Sequence, residues 1–341
     1  MSQVTLMQIA EKLNISVSTV SKALKDYPDV SDKTKGLVKE LAKTLNYQPN
    51  AFAVNLRTKE SKTIGLIIPA IVHHFFSNVI KGILAQAEKK GYLVIILQSN
   101  ESYELEKKQI NLLLRQRVDG ILISIANTTR NFTHLSDVIT QGKPLVMFDK
   151  IAKILECSKV VIDDRKAAKD ATQHLIDTGC KRIAHFRGPL LSQNSIDRFL
   201  GYKEALEENN FIYDSSLVYI CECGDSSFEE GKFNAKKLLQ DHKDVDGVFI
   251  NTDLVAIGAL TAFAEMGIKV PDDISIVGFS NWFMSSVISP SLTTINQPGF
   301  EMGKAAFKQL HKELKQRKKS KTVVYEKIIL DTALVKRDST K

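Results

Sequence analysis

From Lys62 onward the chain alternates short apolar runs with amphipathic stretches, and the alternation is written twice. The first copy reads TIGLIIP, a helical stretch near 77–90, YLVIIL, a second near 105–116, VDGILISI, a third, and PLVMFD. The second reads RIAHF, a helical stretch near 196–209, LVYI, another near 228–239, VDGVFI, one near 255–266, and ISIVGF. The phrases at Val118 and Val245 correspond, as do KGILAQAEKKGY from Lys81 and LGYKEALEENNF from Leu200, which align on Gly82 and Gly201. Strands that are apolar throughout need cover on both faces, so each copy specifies a parallel sheet wrapped in helices. Two such lobes enclose a cleft. Open parallel sheets bind ligands beyond the carboxyl ends of their strands, which directs Asp149, Asn251, Thr252, Asp253, Ser280 and Asn281 at one shared space. The expected fold class is α/β, two doubly wound parallel sheets, preceded by a separate helical segment.

That segment opens with TLMQIAEKLNISVSTVSKAL, two helix starts within twenty residues. Thr5 can cap a helix whose third residue, Gln8, reaches back to it, and Leu6, Ile9, Ala10 and Leu13 form its apolar stripe. Asn14 tolerates the left-handed turn that must follow. Ser16 caps the next helix, which buries Val20 and Leu24 and turns Val17, Ser18, Ser21 and Lys22 outward. Short side chains with one cation let a helix lie deep in a major groove. A third helix, capped by Ser31, contributes Leu37, Val38, Leu41 and Leu45 to a small three-helix core. After Tyr47-Gln48-Pro49, Asn50 can start another helix, with Ala53 and Leu56 on one side. So short a helix does not persist alone in water. Leu56 beside Arg57 suits a minor-groove wedge with a cation for phosphate.

VTLMQIAEKLNISVSTVSKAL, followed by VSDKTKGLVKELAKTLNYQPNAFAVNLRT, closely resembles the head and hinge of the LacI/GalR family of bacterial transcription regulators. The resemblance continues through IGLIIP, VDGILIS, IDRFLGYKEAL, TDLVAIGAL and PSLTTINQP, effectively the whole chain. It implies a helix-turn-helix headpiece over 1–48, a hinge helix and linker over 49–62, and a periplasmic-binding-protein-like core over 63–341. Lobe 1 would take about 63–160 and 291–320, and lobe 2 about 161–290 and 321–341. It further implies a homodimer on a pseudo-palindromic DNA operator, regulated by a small polar effector, a sugar or sugar phosphate in preference to a nucleobase. Val17, Ser18 and Lys22 would touch base edges, Lys22 at guanine. Thr5, Ser16, Thr19 and Asn50 would contact phosphates, and Leu56 with Ala53 would insert at the centre of a bent site.

For the effector, Phe75 and Phe76 offer an apolar wall or plain core packing. Arg198 can fork onto two ligand oxygens or form a structural ion pair, and it falls on the family's effector-contact position. Asp163 and Asp164 can line the mouth or, more simply, cap the helix starting near Arg165. The chain departs from many relatives at Ser280, at Thr252-Asp253 and at Ser226, where an aromatic is common; Phe228 can take over stacking, and Trp282 can floor the pocket or plug a loop.

The net charge is +8, and the first 62 residues, with ten basic and six acidic side chains, carry half of it. A second basic run, KQRKKSK from Lys315, reads as a solvated helix end and loop. Cys157, Cys180, Cys221 and Cys223 lack the spacing of a metal knuckle. Enzyme signatures are missing too: there is no GxG, GxxxxGK, HExxH or GxSxG. A solute-binding protein would share the core but would need export and no head. The expectation is a cytoplasmic, non-enzymatic regulator without cofactor, metal or membrane partner.

Overall fold

The computed structural model describes residues 4–47, 60–222 and 227–341. The chain falls into two units, Met1–Ser61 and Lys62–Lys341.

In the first unit, α1 (Leu6–Leu13) starts on the expected capping box, Gln8 N donating to Thr5 Oγ1 at 3.3 Å and Thr5 N to Gln8 Oε1 at 2.9 Å. Asn14 closes it in the left-handed region at φ 52°, the conformation asparagine adopts at little cost. Ser16 caps α2 (Val17–Ala23) through Thr19 N, and Ser31 caps α3 (Asp32–Thr44) through Thr34 N. Ile9, Ala10, Val20, Ala23, Val30, Val38 and Ala42 form the core. Leu37 is exposed, contrary to expectation. With a 3.6-residue period the inward face of α3 is already set by Val38, Leu41, Ala42 and Leu45, and Leu37 lies about 100° away from Val38.

The second unit contains two six-stranded sheets. The first copy supplies β1 (Thr63–Ile68), α4 (His74–Lys89), β2 (Leu93–Gln98), α5 (Tyr103–Arg115), β3 (Gly120–Ile123), α6 (Thr133–Thr140), β4 (Leu145–Phe148) and β5 (Ser158–Ile162). The second supplies α7 (Asp164–Asp177), β6 (Ile183–Arg187), α8 (Gln193–Glu208), β7 (Val218–Ile220), α9 (Ser227–Asp241), β8 (Gly247–Ile250), α10 (Asp253–Glu265) and β9 (Ser275–Ser280). The tail adds β10 (Thr293–Asn296), α11 (Gly299–Lys318), β11 (Lys327–Leu330) and β12 (Ala333–Val335). The sheet orders are β11-β5-β4-β3-β1-β2 and β12-β10-β9-β8-β6-β7, parallel except for β12.

Two strands correct the expected division of the tail. β10 pairs with β9 in the second sheet, not the first, and β11 pairs with β5 in the first sheet, not the second. The chain thus crosses between sheets three times, at 162–164, 296–299 and 330–333.

The repeated phrases have a common mechanical meaning. Gly120 sits opposite Ile64 and Gly247 opposite Ile183, in matching register. The aspartate before each glycine ties down the start of the neighbouring strand, β1 or β6: Lys62 N donates to Asp119 Oδ2 at 2.9 Å, and Arg182 N to Asp246 Oδ1 at 2.8 Å. Gly82 and Gly201 are also equivalent. A Cβ on Gly82 would stand 2.1 Å from the Phe300 carbonyl oxygen, and one on Gly201 2.1 Å from that of Arg165. Each permits two helices to touch backbone to backbone, α4 on α11 and α8 on α7. Gly201→Ala is therefore expected to cost about 1–3 kcal/mol in urea unfolding. Gly36→Ala, where an added Cβ meets nothing within 4 Å, should leave α3 equally or more stable by about 0.5–1 kcal/mol. Matching urea midpoints for wild type and Gly201→Ala would contradict the close-contact role.

Candidate functional site

The exposed side of α2 presents Val17, Ser18, Thr19, Ser21 and Lys22 in one helix turn and a half. Val17 is 43% exposed although it is apolar, Ser18 and Lys22 are exposed, and Thr19 and Ser21 are half-buried. Ser16 Oγ lies 2.7 Å from Ser18 Oγ and 2.8 Å from Thr19 Oγ1, so the helix start is a ring of hydroxyls. Lys22 Nζ pairs with Asp29, which holds the ammonium above its ordinary pKa. The sequence did not show this pair; the loop after α2 brings Asp29 back against the helix. An exposed pair of this kind is weak and screened by salt, so a guanine edge or a phosphate can displace Asp29. Asn50, Ala53, Leu56 and Arg57 lie outside the described residues.

In the core, Arg198 on α8 is 9% exposed and held in three ways. Its Nε donates to Asp164 Oδ1 at 2.8 Å, its Nη1 donates to the Asn251 carbonyl at 3.0 Å, and its guanidinium carbon stands 3.6 Å from the centroid of Phe279. A plane stacked on one face and hydrogen-bonded through two of its three nitrogens has a fixed orientation. Among the described residues no acceptor meets Nη2. Asp163, not Asp164, caps α7, accepting from Lys166 N at 3.0 Å. Burial pushes the Asp164 carboxyl up to about 6 against the opposing pull of Arg198, with Asp149 raising it further.

Asp149, at the end of β4, adopts φ 57° and is buried, accepting from Gln297 Nε2 at 3.2 Å and Ser124 Oγ at 3.4 Å. Burial raises its pKa, while Lys150 and Arg198 oppose the rise. Asp149, Asp164 and Arg198 therefore share one electrostatic environment, contributed by both lobes. His73 belongs to it as well: burial first, then Lys150, His74 and Arg198, pushes its imidazole down to about 4, so it is neutral at pH 7. Sequence reasoning missed this role because a histidine pair in a loop carries no pattern of its own. Its neighbour His74 stands 6.2 Å from Trp282, ring to ring across the two lobes.

Other candidates are engaged structurally. Asp253 accepts from Thr294 Oγ1 at 2.6 Å, Ser285 Oγ at 2.8 Å and Trp282 N at 2.6 Å, so it fastens the loop after β9 instead of facing a ligand. Thr252 caps α10 through Val255 N. Asn281 donates to Asn296 Oδ1 at 3.0 Å and accepts from Arg337 Nη2 at 2.7 Å. Ser280 and Asn281 both have positive φ, 115° and 53°, which makes a strained exit from β9. Phe75 and Phe76 are 4% and 5% exposed and meet edge to face at 5.2 Å, which makes them core residues beneath the cleft and not an open wall. Phe228 opens α9 half-buried, with its carbonyl against Gly258, and its ring makes no aromatic contact among the described residues. No cluster of potential metal ligands occurs among the described residues, and no described helix is long and apolar enough to cross a membrane.

Replacing Asp253 by Ala would leave three donors without their acceptor. Each hydrogen bond to a charged group contributes about 1.5–3 kcal/mol, so the thermal midpoint of the core should fall by several degrees. An unchanged midpoint combined with abolished ligand binding would instead make Asp253 a ligand group.

Residues 5–50 match the model of bacterial regulatory proteins of the lacI family, and residues 172–340 match that of a periplasmic binding protein-like domain. The ribose operon repressor of Halalkalibacterium halodurans is 34% identical over 99% of this chain and 97% of its own. The Lac repressor dimer bound to operator and an anti-inducer superposes with a TM-score of 0.86 at 26% identity, covering 99% of each chain. A LacI family transcriptional regulator from Enterococcus faecium with bound ribose gives 0.70 at 28% identity over 82% of this chain and 98% of that one. With a capped helix-turn-helix head and two lobes around a charged cleft, the chain belongs to the LacI family of bacterial transcription regulators.

Proposed function

We propose that this regulator is a cytoplasmic homodimer that represses transcription from a pseudo-palindromic operator, and that a sugar or sugar phosphate in the cleft sets its operator affinity. The observation that carries the effector class is the fixed Arg198 plane. Its Nε and Nη1 are engaged by Asp164 and Asn251, and Nη2, with two N–H donors, can meet the adjacent oxygens of a polyol or phosphate. Asp149 adds an acceptor for sugar hydroxyls. The ribose in the Enterococcus faecium structure and the name of the Halalkalibacterium relative agree with this class.

In the head, Val17, Ser18, Ser21 and Lys22 read base edges, Thr5, Ser16, Thr19 and Asn50 set register on phosphates, and Leu56 with Ala53 and Arg57 forms the hinge contact. One head reads few base pairs, so a dimer on two half-sites supplies the selectivity. The effector shifts lobe closure, and with it the hinge segments that follow the heads.

A thermal-shift screen of sugars and sugar phosphates tests the reading. An effector at 100 times its Kd stabilises the protein by about 2.7 kcal/mol, a rise of several degrees; no response to any member would reject a carbohydrate effector. Arg198→Lys keeps a cation beside Asp164 and removes the fork, so effector affinity should fall at least about tenfold while DNA affinity of the free protein stays within about twofold. An undiminished effector response would remove Arg198 from the site. For Leu56→Ala, titration should show specific DNA binding weakened far more than nonspecific binding; equal weakening of both would rule out a wedge.

A further inference from the structure

We propose that the end of lobe 1 from which the chain leaves for the DNA-binding head is itself a phosphate-contacting surface, centred on Lys315, Lys319 and Lys321 and lying against operator-flanking DNA. In a parallel lobe every covering helix runs opposite to the strands, so the helix C-termini gather at the strands' amino ends. Lys62 enters β1 at that end of lobe 1, where its carbonyl accepts from Leu93 N at 2.8 Å. The same end holds the last turn of α11, tied to the β4 side by Arg317 Nη1 donating to the Gly142 carbonyl at 2.9 Å. Lys315, Lys319 and Lys321 are exposed there and make no ion pair among the described residues. Lys89 and Lys90 after α4, and Arg115 and Arg117 around the end of α5, are exposed at the same end.

The plain explanation for cations at helix C-termini is the helix macrodipole, which they complement. Lobe 2 provides an internal control, because the dipole acts there equally. The last turns of α8, α9 and α10 carry no basic residue, and α7 has only His174. Just past them stand Lys181, Arg182, Lys243 and Lys269, but that end also carries Glu208, Asp241, Asp244, Asp246, Glu265, Asp272 and Asp273, so acidic residues outnumber basic ones there. The dipole therefore does not account for the basic end of lobe 1. What distinguishes that end is the covalent path to the head. The chain enters lobe 1 from the head at this end, at Lys62, over a tether of at most about 50 Å when fully extended. A groove of about 630 Å³, lined by Gly142, Arg317, Ser320, Lys321, Thr322 and Tyr325, runs beside the lysines, and its hydroxyls and cations are the groups that meet phosphate oxygens.

Such contacts add affinity without sequence preference and release counterions, so they are read from salt dependence. The test compares wild type with the triple variant Lys315→Gln, Lys319→Gln, Lys321→Gln on a duplex selected by the full-length protein from a random library. The duplex is used at its minimal length and extended by about two helical turns on each side. On the extended duplex the slope of log Kobs against log salt should become shallower by about 5, because the dimer loses three phosphate contacts per protomer and each one no longer neutralised lowers the slope by about 0.9. The minimal duplex should show a smaller change, and sequence preference should be unaltered. A thermal midpoint equal to wild type verifies folding, and the single variant Lys319→Gln, with an expected change of about 2 for the dimer, replaces the triple if it does not fold. Identical slopes on the extended duplex would overturn the proposal and leave the patch to an acidic protein partner or to solvent. Failure of the selection to yield any preferred sequence would instead count against the operator-binding reading itself.

Discussion

Among the described residues, three short crossings, at 162–164, 296–299 and 330–333, link the two sheets of the core covalently, and the behaviour of the cleft depends on them. Because each sheet keeps its own parallel ladder, lobe movement has to be absorbed at these crossings. Rigid bodies joined by a few element-terminal residues close by hinge motion. The second crossing carries Gln297, which donates to Asp149 at the mouth of lobe 1, and the first ends at Asp164, which holds Arg198 of lobe 2. The cleft's charged groups and its hinges are therefore partly the same residues.

That placement has an electrostatic consequence. Asp164 is raised to about 6 by burial. A folded pKa above the unfolded value means that stability contributed by this group is fully present below about 3.8 and is lost as pH rises through about 6. At neutral pH the ionised carboxylate is held in an unfavourable place, with Arg198 as its principal compensation. Asp149 is raised by burial in the same sense. Hydroxyl groups donating to these oxygens favour the charged forms, so the polyol effector proposed above would relieve part of that cost. On that proposal, ligand binding and lobe closure would be coupled by these named groups without a longer pathway.

The duplicated core was legible because repetition at the sequence level reflects repetition of contacts. Gly82 and Gly201 align in the sequence and perform the same helix-to-helix approach, and the two VDG phrases tie down equivalent strands. The caps on Thr5, Ser16 and Ser31 were equally readable, since each depends on residues three positions apart. What escaped was long-range pairing. The sequence of β10 does not record that it joins the second sheet, nor that of β11 the first, because short apolar strands fit either. Asp253 and Asn281 sit at strand ends, where ligand contact is a fair expectation. Their partners, Thr294, Ser285, Asn296 and Arg337, are distant in sequence and become visible only in the fold.

The head illustrates why control from the core is feasible. Its core is small, Val17 is left exposed, and Lys22 is already paired to Asp29. In the DNA contact proposed above, Lys22 would exchange that pair for a base or phosphate, so one head would gain only part of the gross interaction. In the dimer proposed above, engagement of the second head is intramolecular, and its strength is set by the effective concentration that the linkers permit. Each change of about 1.4 kcal/mol in that term shifts operator affinity tenfold. A modest rearrangement at the three crossings is thus sufficient, because it does not have to break either head's contacts; it only has to change how often both heads meet the operator together.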